Sequence, residues 1–360
     1  MKSIAYFVSP HGFGHAARSS ALMAALHSLD PDICFEIYTL IPEWFFLESL
    51  VGPFHYHSLK TDIGLIQKSP LSEDPEATLN ALDEFFPFSQ QHITEIAQNL
   101  TGSSCLYAIS DISPLGLLAG KTASIPTVLI ENFTWDWIYE NYLDKLPGFS
   151  KHIRYLGQLF QSPDIHITTE PYCQFDASAD FIARPISRAP KKDRKSIRNA
   201  LGIFEREKMI LITMGGIQES FRHLDHLHGF KDSVFVIPGG SEDFVRKDNL
   251  ILLPHHSDFY HPDLINACDA AVGKAGYSTI SELYNTGTPF GYFSRDTFRE
   301  SAHLTAFIDA NMPSIHLHSK NISDYEWLKH IPDLLTLLPV DRIKPNGAFQ
   351  VAEFLMGEFE

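Results

Sequence analysis

The chain has few cysteines, no long apolar run and a shortage of basic residues. Its four cysteines, Cys34, Cys105, Cys173 and Cys268, are far apart and match no zinc-binding spacing. We expect them to be buried, reduced thiols of a cytoplasmic protein, because disulfides are rare in that compartment. Lysine and arginine number 28 against 44 acidic residues, a formal net charge of −16. This balance argues against a nucleic-acid partner.

The apolar stretches are short wherever they occur. The run at residues 4–8 ends at Ser9-Pro10 and is too short for a signal-peptide core. No run approaches the ~20 residues of a membrane-spanning helix. Residues 40–47, which include Trp44, form either an interfacial patch for a lipid-linked acceptor or a part of the core.

Apolar strands alternate with helical patterns along the chain, and this predicts α/β domains with doubly wound parallel sheets. The composition, 44% hydrophobic and 20% charged, is that of a globular protein, and 360 residues suit two domains. Strands are predicted at residues 4–8, 34–39, 106–109, 127–130 and 165–168, and again at 209–213, 234–237, 250–253 and 270–272.

A basic run at residues 184–198, predicted to be a solvated linker and helix face, separates the two series of strands. We therefore expect an N-terminal Rossmann-like domain at residues 1–184 and a second one at residues 185–345. Residues 346–360 should form a helix that crosses back to the first domain.

A turn of small residues follows the predicted strand at 270–272 and indicates an anion site. Gly273 and Gly276 let the backbone approach a ligand, and Ser278 and Thr279 are predicted to cap the next helix. A helix N-terminus carries free N–H groups and attracts a diphosphate. Glu282, predicted on the first turn, can then accept hydrogen bonds from a ribose diol, so the pattern predicts a nucleotide-sugar.

These segments resemble the GT-B glycosyltransferases, and family 28 in particular. The resemblance is carried by His11-Gly-Phe-Gly-His15, by Met214-Gly-Gly-Ile217, and by Gly276-Tyr-Ser-Thr279 with Glu282, Gly287 and Pro289. Segments at 110–114, 132–139 and 295–300 resemble, more narrowly, the glycosyltransferase-like region of L-arabinokinase-type proteins and its free-standing bacterial relatives. The resemblance covers residues 1 to about 310. It implies two Rossmann-like domains facing across a cleft, with the acceptor bound by the first and the donor by the second.

The resemblance, together with the turn described above, assigns one set of residues to the donor. They are Gly14, Gly215, Gly216, His256, Lys274, Gly276, Tyr277, Ser278, Thr279, Glu282, Arg295, Arg299 and Glu300. Family 28 usually has Asp-Gln or Gln-Gln where this chain has Arg299-Glu300, so the donor sugar stays open. Lys274 either neutralises the leaving diphosphate or is a surface lysine. The adjacent His255 and His256 have no third ligand at usable spacing, so we expect no metal and no cofactor.

A second set is assigned to the acceptor and to catalysis. The acceptor residues are His11, Phe13, Arg18, Trp135, Asp136 and Trp137, although the aromatic ones can equally form a packed corner. His15 is predicted to be the general base of an inverting transfer, or else a helix cap or phosphate ligand. Asp111 is predicted to orient His15; alternatively, Asp111 or Ser113 caps a helix with Pro114 at its first position.

The sequence thus predicts a metal-independent glycosyltransferase that uses a nucleotide-sugar, with UDP the nucleotide that the resemblance favours, and an unknown hydroxyl acceptor, either a small molecule or lipid-linked. Two rivals stay open. A non-catalytic nucleotide-sugar sensor would keep Glu282 and the glycine turns but need no base. An epimerase on the same fold normally carries more charged groups near the anomeric carbon.

Overall fold

The computed structural model describes residues 2–69, 72–214, 224–295, 297–318, 325–342 and 345–359. The chain divides into two compact units. The first unit comprises Met1–Ser187, Phe298–Glu300 and Pro345–Glu360, and the second comprises Arg188–Thr297 and Ser301–Lys344. Each contains one seven-stranded sheet, which confirms the predicted α/β fold class.

The sheet of the first unit is entirely parallel, with the strand order β3-β2-β1-β6-β7-β8-β9. The strands of this unit are β1 Lys2–Val8, β2 Ile33–Thr39, β3 Phe54–Ser58, β4 Gln67–Ser69, β5 Ser72–Glu73, β6 Cys105–Asp111, β7 Thr127–Glu131, β8 Ile165–Thr169 and β9 Phe181–Ala183, of which β4 and β5 form a separate hairpin. Its helices are α1 Phe13–Leu29, α2 Glu43–Ser49, α3 Pro75–Phe85, α4 Gln90–Gly102, α5 Pro114–Thr122, α6 Trp135–Glu140, α7 Phe149–Phe160 and, at the end of the chain, α13 Gly347–Glu358.

The sheet of the second unit has the order β12-β13-β11-β10-β14-β15-β16. Its strands are β10 Lys208–Thr213, β11 Ser233–Pro238, β12 Val245–Lys247, β13 Leu250–Leu253, β14 Ala270–Lys274, β15 Phe290–Phe293 and β16 Ser314–His316, all parallel except the edge strand β12. Its helices are α8 Arg194–Ala200, α9 His261–Ala267, α10 Tyr277–Thr286, α11 Ser301–Asn311 and α12 Ile331–Leu334, with 3₁₀ turns at Leu224–Gly229 and Glu326–His330.

Burial explains why these segments are strands. Ile4 to Val8 in β1 and Met209 to Thr213 in β10 are buried throughout, as expected for strands covered by helices on both faces. The prediction that the first sheet ends at residues 165–168 is wrong, because β9 adds an edge strand beyond it. Three residues give too short a pattern for periodicity to reveal.

The helix α13 lies on the first unit, against α1 and β9. Ala348, Val351, Ala352 and Leu355 are buried in the same core as α1, and Phe354 stacks on Phe181 of β9 with ring centroids 4.8 Å apart. Hydrophobic burial along one stripe of the helix therefore fixes the end of the chain to this unit.

The apolar run at residues 40–47 is divided between core and surface. Phe45 and Phe46 of α2 are buried, whereas Leu40 and Leu47 are exposed. All four cysteines are buried free thiols. Within the described ranges, no helix combines the length and the apolar character that a membrane crossing requires.

Candidate active site

The ends of β1 and β6 bring His15 and Asp111 together. These parallel strands are neighbours, and Val8 pairs with Asp111 in their register. The chain leaves β1 through the loop at Gly12 and enters α1, whose first turn carries His15. His15 Nδ1 lies 2.9 Å from Asp111 Oδ1, a hydrogen-bond distance. The contact that the sequence predicts is therefore present.

Arg18 lies one turn after His15 and holds the same carboxylate. Its Nε donates to Asp111 Oδ2 at 2.7 Å and its Nη2 donates to Oδ1 at 2.6 Å, a bidentate pair. Ser19 Oγ donates to Oδ2 at 3.2 Å. Arg18 is 1% exposed, so an acceptor can reach its guanidinium only if this network opens.

These contacts favour an ionised Asp111 and one tautomer of a neutral His15. Burial opposes ionisation of Asp111, but the Arg18 charge and the hydrogen bonds from Arg18 and His15 outweigh it and hold the pKa of Asp111 below its ordinary value. An ionised Asp111 can only accept a hydrogen bond, so His15 Nδ1 carries the proton that it donates. Nε2 is then the nitrogen that can act as a base. Of the two residues that could cap α5, Ser113 occupies the N-cap position, with Pro114 following it, although its side chain makes no capping hydrogen bond. Asp111 is therefore not the cap.

The aromatic segment after β7 is largely a packed corner. Trp135 and Trp137 are buried in one cluster with Phe133 and Tyr139. Asp136 is half-buried, and the loss of solvent around its carboxyl raises its pKa. Little of these side chains is therefore open to an acceptor. Their contact with an acceptor stays a prediction.

His11 and Phe13 lie on either side of Gly12, where the chain enters α1. His11 Nδ1 accepts a hydrogen bond from the Leu65 N–H at 3.2 Å, and its ring packs edge-on against Trp135 at 4.9 Å. Phe13 stacks on Phe45 at 4.9 Å. Both side chains are held by neighbours and remain partly exposed.

Asp62 is a buried carboxylate that the sequence analysis missed. It is 1% exposed, and its Oδ1 accepts a hydrogen bond from Ser9 Oγ at 3.1 Å. Burial raises the pKa of Asp62 to about 7. It lies within the irregular stretch between β3 and β4, where no strand or helix pattern marks it in the sequence.

Residues 298–300 are anchored to the first unit at three successive positions. Phe298 packs edge-on against Phe133, with centroids 6.3 Å apart. The Arg299 guanidinium lies 4.1 Å above the Trp137 ring and donates to Glu140 Oε2 at 2.7 Å. Glu300 accepts a hydrogen bond from Asn132 Nδ2 at 2.9 Å. The expected donor-sugar residues Arg299 and Glu300 thus belong to the unit that carries His15.

In the second unit, the helix of the donor motif starts earlier than predicted. Gly276 is the N-cap, with extended backbone angles, and α10 begins at Tyr277. The predicted capping by Ser278 and Thr279 is therefore wrong, because an N-cap residue must be non-helical and both already lie inside α10. Glu282 falls on the second turn rather than the first.

Glu282 is the centre of a buried ionic network. Arg188 Nε donates to Oε1 at 3.0 Å, and His261 Nδ1 lies 2.8 Å from Oε2. His261 Nε2 lies 3.3 Å from Thr213 Oγ1. Burial opposes ionisation, but the charges and hydrogen bonds of Arg188 and His261 outweigh it and lower the pKa of Glu282. A carboxylate has about four acceptor positions, so a ribose hydroxyl bound by Glu282 would add to these bonds or displace one of them. The ribose contact stays a prediction.

The remaining donor residues have varied environments. Lys274 ends β14 and is half-buried, Tyr277 and Arg295 are buried, and His256 is exposed after β13. Gly14 lies on the first turn of α1. Gly215 and Gly216 lie outside the described residues. In the part of the chain that the structure describes, no three His, Cys, Asp or Glu side chains are grouped as metal ligands.

The architecture, two Rossmann-like units with these sites at their strand ends, is that of a GT-B glycosyltransferase fold. The structure is similar to UGT89C1 of Arabidopsis thaliana complexed with UDP, with a TM-score of 0.64 and 13% identity over 100% of both chains. It is also similar to MurG of Acinetobacter baumannii, with a TM-score of 0.56 and 14% identity over 99% of this chain and 100% of the other. At such identities the likeness is one of fold.

A sequence relative points to the narrower resemblance. The chain is 27% identical to L-arabinokinase of Arabidopsis thaliana over 355 residues, which are 98% of this chain and 34% of that protein. The chain therefore spans about a third of the relative's length. No protein-family model matches the chain.

Proposed function

We propose that the chain is an inverting glycosyltransferase that moves a sugar from a nucleotide-diphosphate sugar to a hydroxyl acceptor. The observation that carries the proposal is the His15–Asp111–Arg18 network, which leaves His15 Nε2 as a base next to an ionised, fixed carboxylate. The fold supports the reaction class.

In the proposed reaction His15 Nε2 removes the acceptor's hydroxyl proton. The acceptor oxygen forms a bond to the anomeric carbon as the bond from that carbon to the diphosphate breaks, and the diphosphate leaves with the electron pair. Asp111 stabilises the imidazolium without taking the proton itself. A positioned base of this kind typically contributes 10²–10⁴-fold to the rate.

The proposed donor site lies on the second unit. The free N–H groups at the start of α10 and the Lys274 ammonium would hold the diphosphate without a metal ion, and Glu282 would bind the ribose. UDP is the proposed nucleotide, since a structure of similar fold is complexed with UDP.

A second candidate is a non-catalytic nucleotide-sugar sensor. The observation that favours it is the relative itself: in a protein named as a kinase, this region accounts for 34% of the length and so accompanies another activity. A sensor would bind UDP-sugars through the second unit and have no use for His15.

The two functions differ in a release assay. The purified chain is incubated with UDP-glucose, UDP-galactose or UDP-N-acetylglucosamine and with pooled sugar and phenol acceptors, and free UDP is measured. A transferase releases UDP, and His15→Ala abolishes that release while UDP affinity changes less than about twofold. His92→Ala on α4 is the matched control and should keep full activity. Tight UDP-sugar binding with no acceptor-dependent release would favour the sensor.

A further inference from the structure

Asn132 joins two groups that the sequence places in different sites. The Arg18 guanidinium donates from Nη1 to Asn132 Oδ1 at 2.7 Å, and Asn132 Nδ2 donates to Glu300 Oε1 at 2.9 Å. The bonds run without a break from His15 through Asp111, Arg18 and Asn132 to Glu300. All five residues belong to the first unit.

The partners of Asn132 fix its orientation. Arg18 offers only donors, so the amide oxygen must face the guanidinium and the amide nitrogen must face Glu300. Arg18, Asp111, Asn132 and Glu300 are all buried, which makes each of these polar contacts costly to lose. The amide cannot turn over without leaving Arg18 and Glu300 with mismatched partners.

Glu300 therefore has one oxygen occupied and one available. Oε1 is held by Asn132, and among the described residues no group donates to Oε2. The contacts of Phe298 and Arg299 fix the backbone immediately before Glu300. An immobilised carboxylate oxygen of this kind accepts a hydrogen bond from a hydroxyl.

We infer that Asn132 is a positioning residue that holds Glu300 so that Oε2 accepts a hydrogen bond from a hydroxyl of the transferred sugar. The inference rests on the proposed use of a nucleotide-sugar. Arg18 then has two roles. Its guanidinium holds Asp111, the partner of the base His15, and through Asn132 it also orients Glu300.

The polarity of the amide makes a sharp test possible. In Glu300→Gln the Asn132 N–H still demands an acceptor, so the new amide turns its oxygen inward and presents N–H groups to the ligand. In Asn132→Asp two carboxylates face each other, and Glu300 is pushed from its position. In the double variant the new carboxylate accepts from the new amide, whose oxygen then faces the ligand again, while Arg18 keeps its acceptor.

The measurement is the ratio of the Kd for UDP to the Kd for UDP-glucose and for UDP-galactose, by calorimetry. Each single substitution should lower the ratio about tenfold, the worth of one charge-assisted hydrogen bond, and the double variant should restore it to within about threefold. Asn99→Asp on α4, an exposed position, is the control and should leave the ratio unchanged.

Four outcomes are distinguishable. Single variants that fold and keep the wild-type ratio overturn the inference, as does a double variant that fails to recover. A wild-type ratio of one with normal UDP binding overturns the role of Glu300 but not the proposed function. Absence of UDP binding contradicts the proposed function. The Asn132–Glu300 hydrogen bond is then tested by Tm alone: the inference requires that Asn132→Asp lowers Tm and that adding Glu300→Gln restores it.

Discussion

Replacing Asp111 with asparagine should lower the free energy of unfolding of the first unit by more than the loss of a single hydrogen bond would. Four donors converge on this carboxylate: Nε and Nη2 of Arg18, Nδ1 of His15 and Oγ of Ser19. An asparagine oxygen can accept two of them, but its amide group then faces the other two. Arg18 also keeps a charge that is 1% exposed and has lost its counter-ion. Removing one partner of a buried pair costs about 3–5 kcal/mol.

Tryptophan fluorescence during urea unfolding measures this loss, because Trp44, Trp135 and Trp137 all lie in the first unit. The Asp111→Asn, Arg18→Met double variant removes both charges and should recover at least about 2 kcal/mol of the loss. Because the pKa of Asp111 is lowered in the folded state, its ionised form stabilises the fold fully at pH values above its ordinary pKa. This contribution to the free energy of unfolding disappears as the pH falls through the lowered pKa. Asp111→Asn should abolish this acid dependence. A loss below about 1 kcal/mol would refute the buried ion pair.

The remaining predictions concern the donor site and Asp62. Glu282→Ala should weaken UDP binding by about 1.5–3 kcal/mol for each charge-assisted hydrogen bond lost, and unchanged UDP affinity by calorimetry in a folded variant would exclude the ribose contact. A chelator should leave UDP-glucose binding intact, since Lys274 and the start of α10 are proposed to replace a cation; a strict need for Mg²⁺ or Mn²⁺ would contradict that site. Burial raises the pKa of Asp62 from its ordinary value of 3.8 to about 7, so between these pH values Asp62 is protonated when folded and ionised when unfolded. The free energy of unfolding should therefore fall by up to ~4 kcal/mol as the pH rises from 3.8 to 7. Asp62→Asn should flatten that part of the stability profile, and an unaltered profile would show that Asp62 ionises normally.

The frame of the site was predictable because neighbouring strand ends are set by simple rules. Apolar runs place His15 after β1 and Asp111 at the end of β6, and parallel strands bring such ends to one edge of the sheet. Arg18 was within reach of the same reasoning, since a residue three positions after His15 lies on the same helix face. Its assignment to the acceptor came from the resemblance rather than from that spacing.

The long-range partners were not predictable from spacing or composition. Asn132 and Glu300 are 168 positions apart, and no periodic pattern relates them. Arg188 lies in a basic run that predicts a solvated linker, yet it is buried against Glu282. Whether an arginine is solvated or buried depends on which carboxylate the tertiary structure brings to it. The α10 cap was misplaced for a local reason, because Gly276 takes the extended conformation that Ser278 was expected to have.

The most direct test of base catalysis compares transfer with binding in His15→Ala, Asp111→Asn and the double variant. UDP release with the best donor and acceptor gives kcat, and calorimetry gives the affinity for UDP. His15→Ala should abolish transfer, Asp111→Asn should lose most of it, and the double variant should be little worse than His15→Ala, because groups acting as a unit are non-additive. UDP affinity should stay within about twofold, as the proposed nucleotide site is on the second unit. A folded His15→Ala that transfers sugar at the wild-type rate would contradict the account.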